Sequence, residues 1–62
     1  MTTYRIFVQD RPRGKYSGLT ERRAMSRENA VRACGDYPVK LKAIPWPATT
    51  ATDKDWLKRY VG

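Results

Sequence analysis

Histidine is absent from this 62-residue chain, and Cys34 is its single cysteine. Without histidine, the chain lacks the side chain that most often transfers protons near neutral pH. A lone cysteine cannot form an internal disulfide, and we predict Cys34 to be a buried structural thiol on the apolar side of a short helix. One cysteine and six scattered acidic residues give no metal-ligand spacing. We therefore expect a non-enzymatic protein without a cofactor, a metal or a small-molecule substrate.

Long apolar runs are lacking as well. No stretch approaches the roughly 20 apolar residues that a membrane-spanning helix needs. The N-terminal sequence MTTYRIF contains no signal-peptide hydrophobic region. We expect a cytoplasmic protein that forms one small domain over residues 1–62 and does not bind a membrane.

Acidic residues are few compared with basic ones. Thirteen lysines and arginines against six acids give a net charge of +7 and an isoelectric point near 10.1. A charge of this sign favours an anionic partner, such as nucleic acid or an acidic protein surface. Residues 11–27 hold six of the cations and only Glu21 as an acid, so a net +5 of the charge lies in that segment.

The N-terminal half begins with a period-two pattern of side chains and then becomes irregular. In YRIFVQD, Ile6 and Val8 share one face and Phe7 takes the other, which predicts a strand. One proline and two glycines then predict a loop over residues 10–17. The stretch GLTERRAM predicts a short second strand at the edge of a sheet, paired with the first as a hairpin.

A helix is predicted over residues 27–34. Ser26 is a good N-cap, and Val31 and Cys34 contribute to an apolar stripe. Gly35 follows as a helix-terminating glycine.

A third strand and a last helix complete the pattern. In PVKLKAIPW, Val39 and Leu41 fall on one face and Ile44 on the other, and the prolines end the strand. Thr52 is predicted to cap a C-terminal helix over residues 53–61, with Asp55 three positions later. The apolar side of this helix contains its tryptophan and tyrosine.

The order of elements predicts an α+β fold, β-β-α-β-α, around a small three-stranded sheet. We expect helix 27–34 on the sheet face that carries Ile6 and Leu41. Helix 53–61 is expected to cover the opposite face, where Phe7 points.

The basic segment has two interpretations. It is either a loop and edge strand kept soluble by charge, or a binding surface in which arginine forks contact phosphates. Two aromatic residues are also candidates for contact. Tyr16 can stack on a base. Trp46 lies between two prolines and is either an interface anchor or a clamp near Trp56. The candidate contact residues are Arg11, Arg13, Lys15, Tyr16, Arg22, Arg23, Arg27, Lys40, Lys42 and Trp46.

A short motif inside this segment resembles the AT-hook. Pro12, Arg13, Gly14 and Lys15 resemble the first part of its Arg-Gly-Arg-Pro core, in which glycine lets the backbone approach the minor groove between two cations. Tyr16 stands where the closing proline of the motif would be.

A longer run, RRAMSRENAVRACGDYPVKLKAIP, resembles small phage-encoded β-β-α-β proteins, among them anti-CRISPR proteins and inhibitors of host RNA polymerase. Some archaeal ribosomal proteins share this layout. The residues that carry the resemblance are Ala24, Ser26, Ala30 and the alternating Val39, Leu41 and Ala43. All are structural positions, so the resemblance implies a fold before it implies a function.

Two functional hypotheses follow. In the first, an arginine-rich hairpin binds nucleic acid or a nucleoprotein complex, mainly through phosphates. In the second, the protein is a phage inhibitor that covers the surface of a partner protein, with Trp46 or Tyr16 as an anchor. Binding through several phosphates weakens steeply with salt, whereas an interface with aromatic anchors retains more of its affinity.

Overall fold

The computed structural model describes residues 1–9, 11–35 and 40–61. The elements follow the predicted order β-β-α-β-α, and the α+β fold is confirmed. They are β1 (Thr2–Gln9), β2 (Tyr16–Ala24), α1 (Arg27–Arg32), β3 (Lys40–Pro45) and α2 (Ala51–Tyr60).

The three strands form one antiparallel sheet in the order β2-β1-β3. β1 is central because its apolar residues alternate on both faces: Ile6 is fully buried on one and Phe7 is 4% exposed on the other. β2 is mostly exposed, as expected of an edge strand. Its pairing with β1 shifts where Ile6 faces Thr20 and Phe7 faces Gly18, so Leu19 is an extra residue. Such a bulge disturbs the exposed edge and discourages pairing with another sheet.

One face of the sheet packs against α1. Ile6, Ala30 and Ala43 are buried in a common cluster, and Leu41 packs against it. The small side chains of Ala30 and Ala43 allow the short helix to approach β3 closely. The prediction that α1 covers the Ile6 and Leu41 face is confirmed. Val39, predicted to share this face, lies outside the described residues.

The predicted end of α1 is two residues too late. The helix ends at Arg32 with Ala33 as its C-cap, and Cys34 lies in the following turn. Gly35 adopts a φ of 85°, in the left-handed region where a side chain is strained. The start is as predicted, since the Ser26 side chain accepts a hydrogen bond from the Asn29 backbone N–H.

The opposite face is covered by aromatic side chains of α2. The ring of Trp56 lies 5.6 Å from that of Phe7, and Ile44 beside them is fully buried. Because the contacts are made by long rings, α2 can cover the face without close approach of its backbone. The two helices therefore lie on opposite faces, as predicted.

The predicted start of α2 is two residues too late. Thr50, not Thr52, is the N-cap, and its hydroxyl accepts a hydrogen bond from the Asp53 backbone N–H at 3.1 Å. Both threonines precede an aspartate by three residues, so the local pattern does not distinguish them. The interaction that favours Thr50 is tertiary: Asp53 meets an arginine of α1.

The start of β2 also differs from the prediction. β2 begins at Tyr16, inside the predicted loop, because Tyr16 pairs with Gln9 and packs below α2.

Within the described residues, no helix combines the length and apolar character needed to cross a bilayer.

Candidate nucleic-acid interface

The turn between β1 and β2 is held by its own hydrogen bonds. The Gly14 N–H donates to the Arg11 carbonyl at 2.9 Å, and Gln9 Nε2 donates to the Gly14 carbonyl at 2.8 Å. Arg13 has a φ of 63°, and a Cβ added to Gly14 would meet the Arg11 oxygen at 3.1 Å. This tight geometry explains the glycine between two cations. The backbone is folded into a turn here, unlike the extended backbone that an AT-hook presents to the minor groove.

Four exposed cations gather at this end of the sheet. Tyr16, Gln9 and Lys40 lie side by side on β2, β1 and β3, so Lys40 adjoins the turn. Among the ion pairs of the described residues, none involves these four cations. We call them the hairpin end: Arg11, Arg13, Lys15 and Lys40.

Two of the predicted arginines lie at the other end of the sheet. Arg22 pairs with Tyr4 and Arg23 with Thr3, five and six residues along β1 from Gln9. At about 3.3 Å per residue, this separates them from the hairpin end by roughly 20 Å. Neighbouring residues of a strand point to opposite faces, so the two arginines also diverge from each other. The structure thus divides the basic segment instead of gathering it into one patch.

Arg27 is engaged within the protein. Its guanidinium binds Asp53 through two hydrogen bonds, Nη1 to Oδ1 at 3.1 Å and Nη2 to Oδ2 at 3.0 Å. Nη1 also lies 3.4 Å from the carbonyl oxygen of Ala43, a residue of the outer strand β3. Because α1 and α2 cover opposite faces, this side chain passes around the β3 edge and joins the three layers.

Asp53 is 4% exposed and therefore needs a partner for its charge. The hydrogen bonds from Arg27 lower the pKa of its carboxyl below the usual value, an effect that outweighs the opposing effect of burial. A hydrogen bond from the Thr50 side chain and the positive charges of Arg27 and Lys42 also lower the pKa of this carboxyl. The carboxylate is thus held ionised, and it adds little negative charge to the surface.

Tyr16 and Lys42 border the aromatic layer below α2. The rings of Tyr16 and Trp56 meet edge to face at 4.9 Å. Lys42 Nζ lies 5.7 Å above the Trp56 ring, a cation–π distance. Tyr16 is half-buried and already has an aromatic partner, so its ring packs inside the molecule.

Trp46 lies at the far end from the hairpin turn. Its backbone N–H donates to the Thr3 carbonyl at 2.8 Å, and its ring centroid lies 6.4 Å from that of Phe7. The Arg5 guanidinium carbon is 4.0 Å from the ring centroid, and Arg5 also pairs with Glu21 at 2.9 Å. Trp46 therefore packs against β1 and remains partly exposed, stacked with a cation.

The last turn of α2 brings a residue to the hairpin end that the sequence pattern did not identify. Val61 forms a parallel bridge with Tyr16, which brings the exposed Tyr60 close to the turn. Tyr60 was expected on the apolar side of the helix, yet it is 46% exposed. The periodicity of α2 could not reveal this, because exposure depends on where the sheet below the helix ends.

Among the described residues, the thiol and the metal-ligating side chains do not come together in a catalytic or metal site. Cys34 packs against the core and has its Sγ 3.5 Å from the Ala30 carbonyl oxygen, but it is half-buried and not fully buried as predicted. No group of three metal-ligating side chains occurs within residues 1–9, 11–35 and 40–61.

An open groove of about 520 Å³ lies between α1 and β3, and Val31 and Leu41 line it.

The sequence matches no protein-family model and has no significant match among curated proteins or solved structures. Inferences about function must therefore come from the geometry and charge of the surface.

Proposed function

We propose that this protein is a non-enzymatic, cytoplasmic binding protein that engages nucleic acid, alone or within a nucleoprotein complex, through phosphate contacts at the hairpin end. The observation that carries the proposal is the set of four exposed cations around a turn fixed by three local features. These are the Gly14 and Gln9 hydrogen bonds and the left-handed Arg13.

A fixed turn supports binding because the cations need not lose backbone freedom when the ligand arrives. Arg11 and Arg13 offer planar forks that match phosphate oxygens, and Lys15 and Lys40 add point charges on either side. The surrounding charge reinforces this local field, since the whole chain carries +7. Such a field steers polyanions and accelerates their association.

The other charged groups explain why the hairpin end is favoured over the rest of the basic segment. Arg27 is neutralised by Asp53 and Arg5 by Glu21, whereas Arg22 and Arg23 diverge at the far end. Within the basic segment, the turn therefore offers a polyanion the most cations on one surface.

The first prediction concerns where the phosphates bind. Arg11→Gln with Lys15→Gln should weaken binding of labelled DNA or RNA about tenfold or more at about 0.1 M salt, because two phosphate contacts and their counterion release are lost. The measurement is fluorescence anisotropy with single-stranded DNA, duplex DNA and RNA at about 50 and 200 mM salt. Arg13 is left intact because its positive φ would confound a substitution.

The matched control is Arg22→Gln with Arg23→Gln, which removes the same charge from the same segment roughly 20 Å away. We expect a smaller loss for this variant. Equal losses for the two double variants would show that charge alone acts and that the hairpin end is not the site. No binding of any nucleic acid by the wild type would refute the proposed function.

A second function is favoured by the exposed side of Trp46. Its ring, Arg5 and Arg23 share one face at the far end of the sheet, so a partly exposed aromatic lies among cations. That arrangement suits an anchor on an acidic protein surface, as in an inhibitor of the phage type. Under this alternative, Trp46→Ala would abolish binding to the partner protein, whereas the Arg11 and Lys15 double variant would retain it.

A further inference from the structure

The C-terminal turn of α2 and the hairpin end form one continuous surface. Val61 bridges to Tyr16, the first residue of β2, and its N–H donates to the Leu57 carbonyl at 3.2 Å. Lys15 precedes Tyr16 directly. The bridge therefore places Tyr60 next to the cations of the turn, although more than forty residues separate it from Lys15 in sequence.

Tyr60 is the one aromatic residue among the large exposed apolar side chains of the described chain; the others are Met1, Leu19 and Met25. Its ring centroid is 5.8 Å from that of Trp56 at a tilt of 38°, and the side chain is 46% exposed. One side of the ring is thus supported while much of the rest is open. Trp56 is itself held by Tyr16 and Phe7, so the support is rigid.

A supported aromatic ring beside several cations is the arrangement by which proteins hold unpaired nucleotides. The cations follow the backbone, and the ring stacks on a base whose face is available. In a duplex the base faces are covered by their neighbours, and separating them costs a few kcal/mol. The ring therefore adds affinity for a single strand and little for a duplex.

We propose that the hairpin end binds single-stranded nucleic acid, with Tyr60 stacked on an unpaired base and the four cations on the flanking phosphates. This inference rests on the proposed function and specifies its ligand class. If the four cations of the hairpin end all contact phosphates, the logarithm of the affinity for a single strand should fall with the logarithm of salt with a slope of about −3.

The test compares Tyr60→Leu with Tyr60→Phe by fluorescence anisotropy, using oligothymidylate of about 12 nucleotides, the matching duplex, and a strand of equal length without bases. Leucine keeps apolar volume and loses the ring, whereas phenylalanine keeps the ring. We expect Tyr60→Leu to lose about 5- to 150-fold in affinity for oligothymidylate. Tyr60→Phe should remain within about twofold of the wild type, because stacking needs only the ring face. Thermal melts of both variants establish that each is folded.

The strand without bases separates stacking from charge. Tyr60→Leu should bind it as well as the wild type does, because no base is present to stack. Equal affinity of the wild type for single strand and duplex, or an unchanged affinity of Tyr60→Leu for oligothymidylate, would overturn this inference. Either result would leave phosphate binding at the hairpin end intact. Failure of the wild type to bind any of the three ligands would instead refute the proposed function.

Discussion

At the scale of single residues, Arg27 and Arg11 show that the same side chain serves different purposes in one basic segment. Arg27 lies where an aspartate of α2 comes within 3.0 Å of it, so its charge stabilises the fold. Arg11 lies on a turn that projects from the sheet and forms no ion pair with a described carboxylate. Tertiary position, not residue type, therefore decides which cations remain available.

The ion pair between Arg27 and Asp53 gives a prediction about stability. Asp53→Asn should reduce the free energy of unfolding by about 1–2 kcal/mol at neutral pH. This is less than the loss for a fully buried pair, because the Arg27 side chain is 45% exposed. Urea unfolding followed by circular dichroism measures it. The matched control is Asp55→Asn, whose pair with Arg59 is exposed and should be worth less than about 0.5 kcal/mol.

The same carboxylate makes stability depend on pH. The pKa of Asp53 in the folded protein lies below its ordinary value of 3.8, so the unfolded chain takes up its proton first as the pH falls. The stabilisation is complete above pH 3.8 and is lost as the pH falls through the lower, folded value. Wild type should therefore lose stability more steeply below that pH than Asp53→Asn. Parallel pH profiles for the two proteins would contradict the assigned interaction.

At the scale of elements, the start of α2 shows how a local pattern is decided by distant contacts. Thr50 with Asp53 and Thr52 with Asp55 are equivalent as capping sequences. Capping at Thr50 directs Asp53 towards Arg27 and Trp56 towards Phe7. A start two residues later would leave Ala51 and Thr52 outside the helix and the Asp53 backbone N–H without the Thr50 hydroxyl as its acceptor.

This choice can be tested with two equally exposed threonines. Thr50→Ala should cost about 1 kcal/mol of unfolding free energy, because the hydrogen bond to the Asp53 N–H is lost. Thr52→Ala should change stability by less than about 0.5 kcal/mol, since alanine is the better helix former inside α2. Thermal or urea unfolding provides the comparison. A larger loss at position 52 than at position 50 would restore the later start.

At the scale of the whole molecule, a layer of aromatic rings unites the sheet, the hairpin base and α2. Trp56 is its centre, with Phe7, Tyr16 and Tyr60 at ring distances of 4.9 to 5.8 Å. A chain of 62 residues has a total stability of about 3–9 kcal/mol, so one such side chain can decide whether it folds. The same layer fixes Tyr60 beside the cations, which links stability to the proposed interface.

Trp56→Ala should therefore remove cooperative folding. Trp56 is half-buried at the centre of this layer, and truncation of a packed tryptophan costs about 3–5 kcal/mol, comparable with the whole stability of the domain. Circular dichroism melts are the measurement, with Met25→Ala as a control at a side chain that is 75% exposed. A cooperative transition of Trp56→Ala at the wild-type temperature would refute the arrangement of two helices on opposite faces.

The sequence by itself was sufficient for the order of elements and for the faces of the sheet. Period-two alternation in β1 assigned Ile6 and Phe7 to opposite sides, and the Ser26 cap located the start of α1. The sequence also predicted that Arg11, Arg13 and Lys15 lie in a loop, because Gly14 and its neighbours are typical of one. These features depend on near neighbours in the chain, which a linear pattern records.

Only the tertiary structure decided which charged and aromatic residues are exposed on one surface. The pairing of Arg27 with Asp53 and the exposure of Tyr60 next to the hairpin end join segments far apart in sequence. The separation of Arg22 from Arg11 depends on the length of a strand, and not on their spacing in the chain. Burial and charge pairing are set by the packing of distant segments, so a pattern read along the chain identified the cations but could not show which of them remain free to bind.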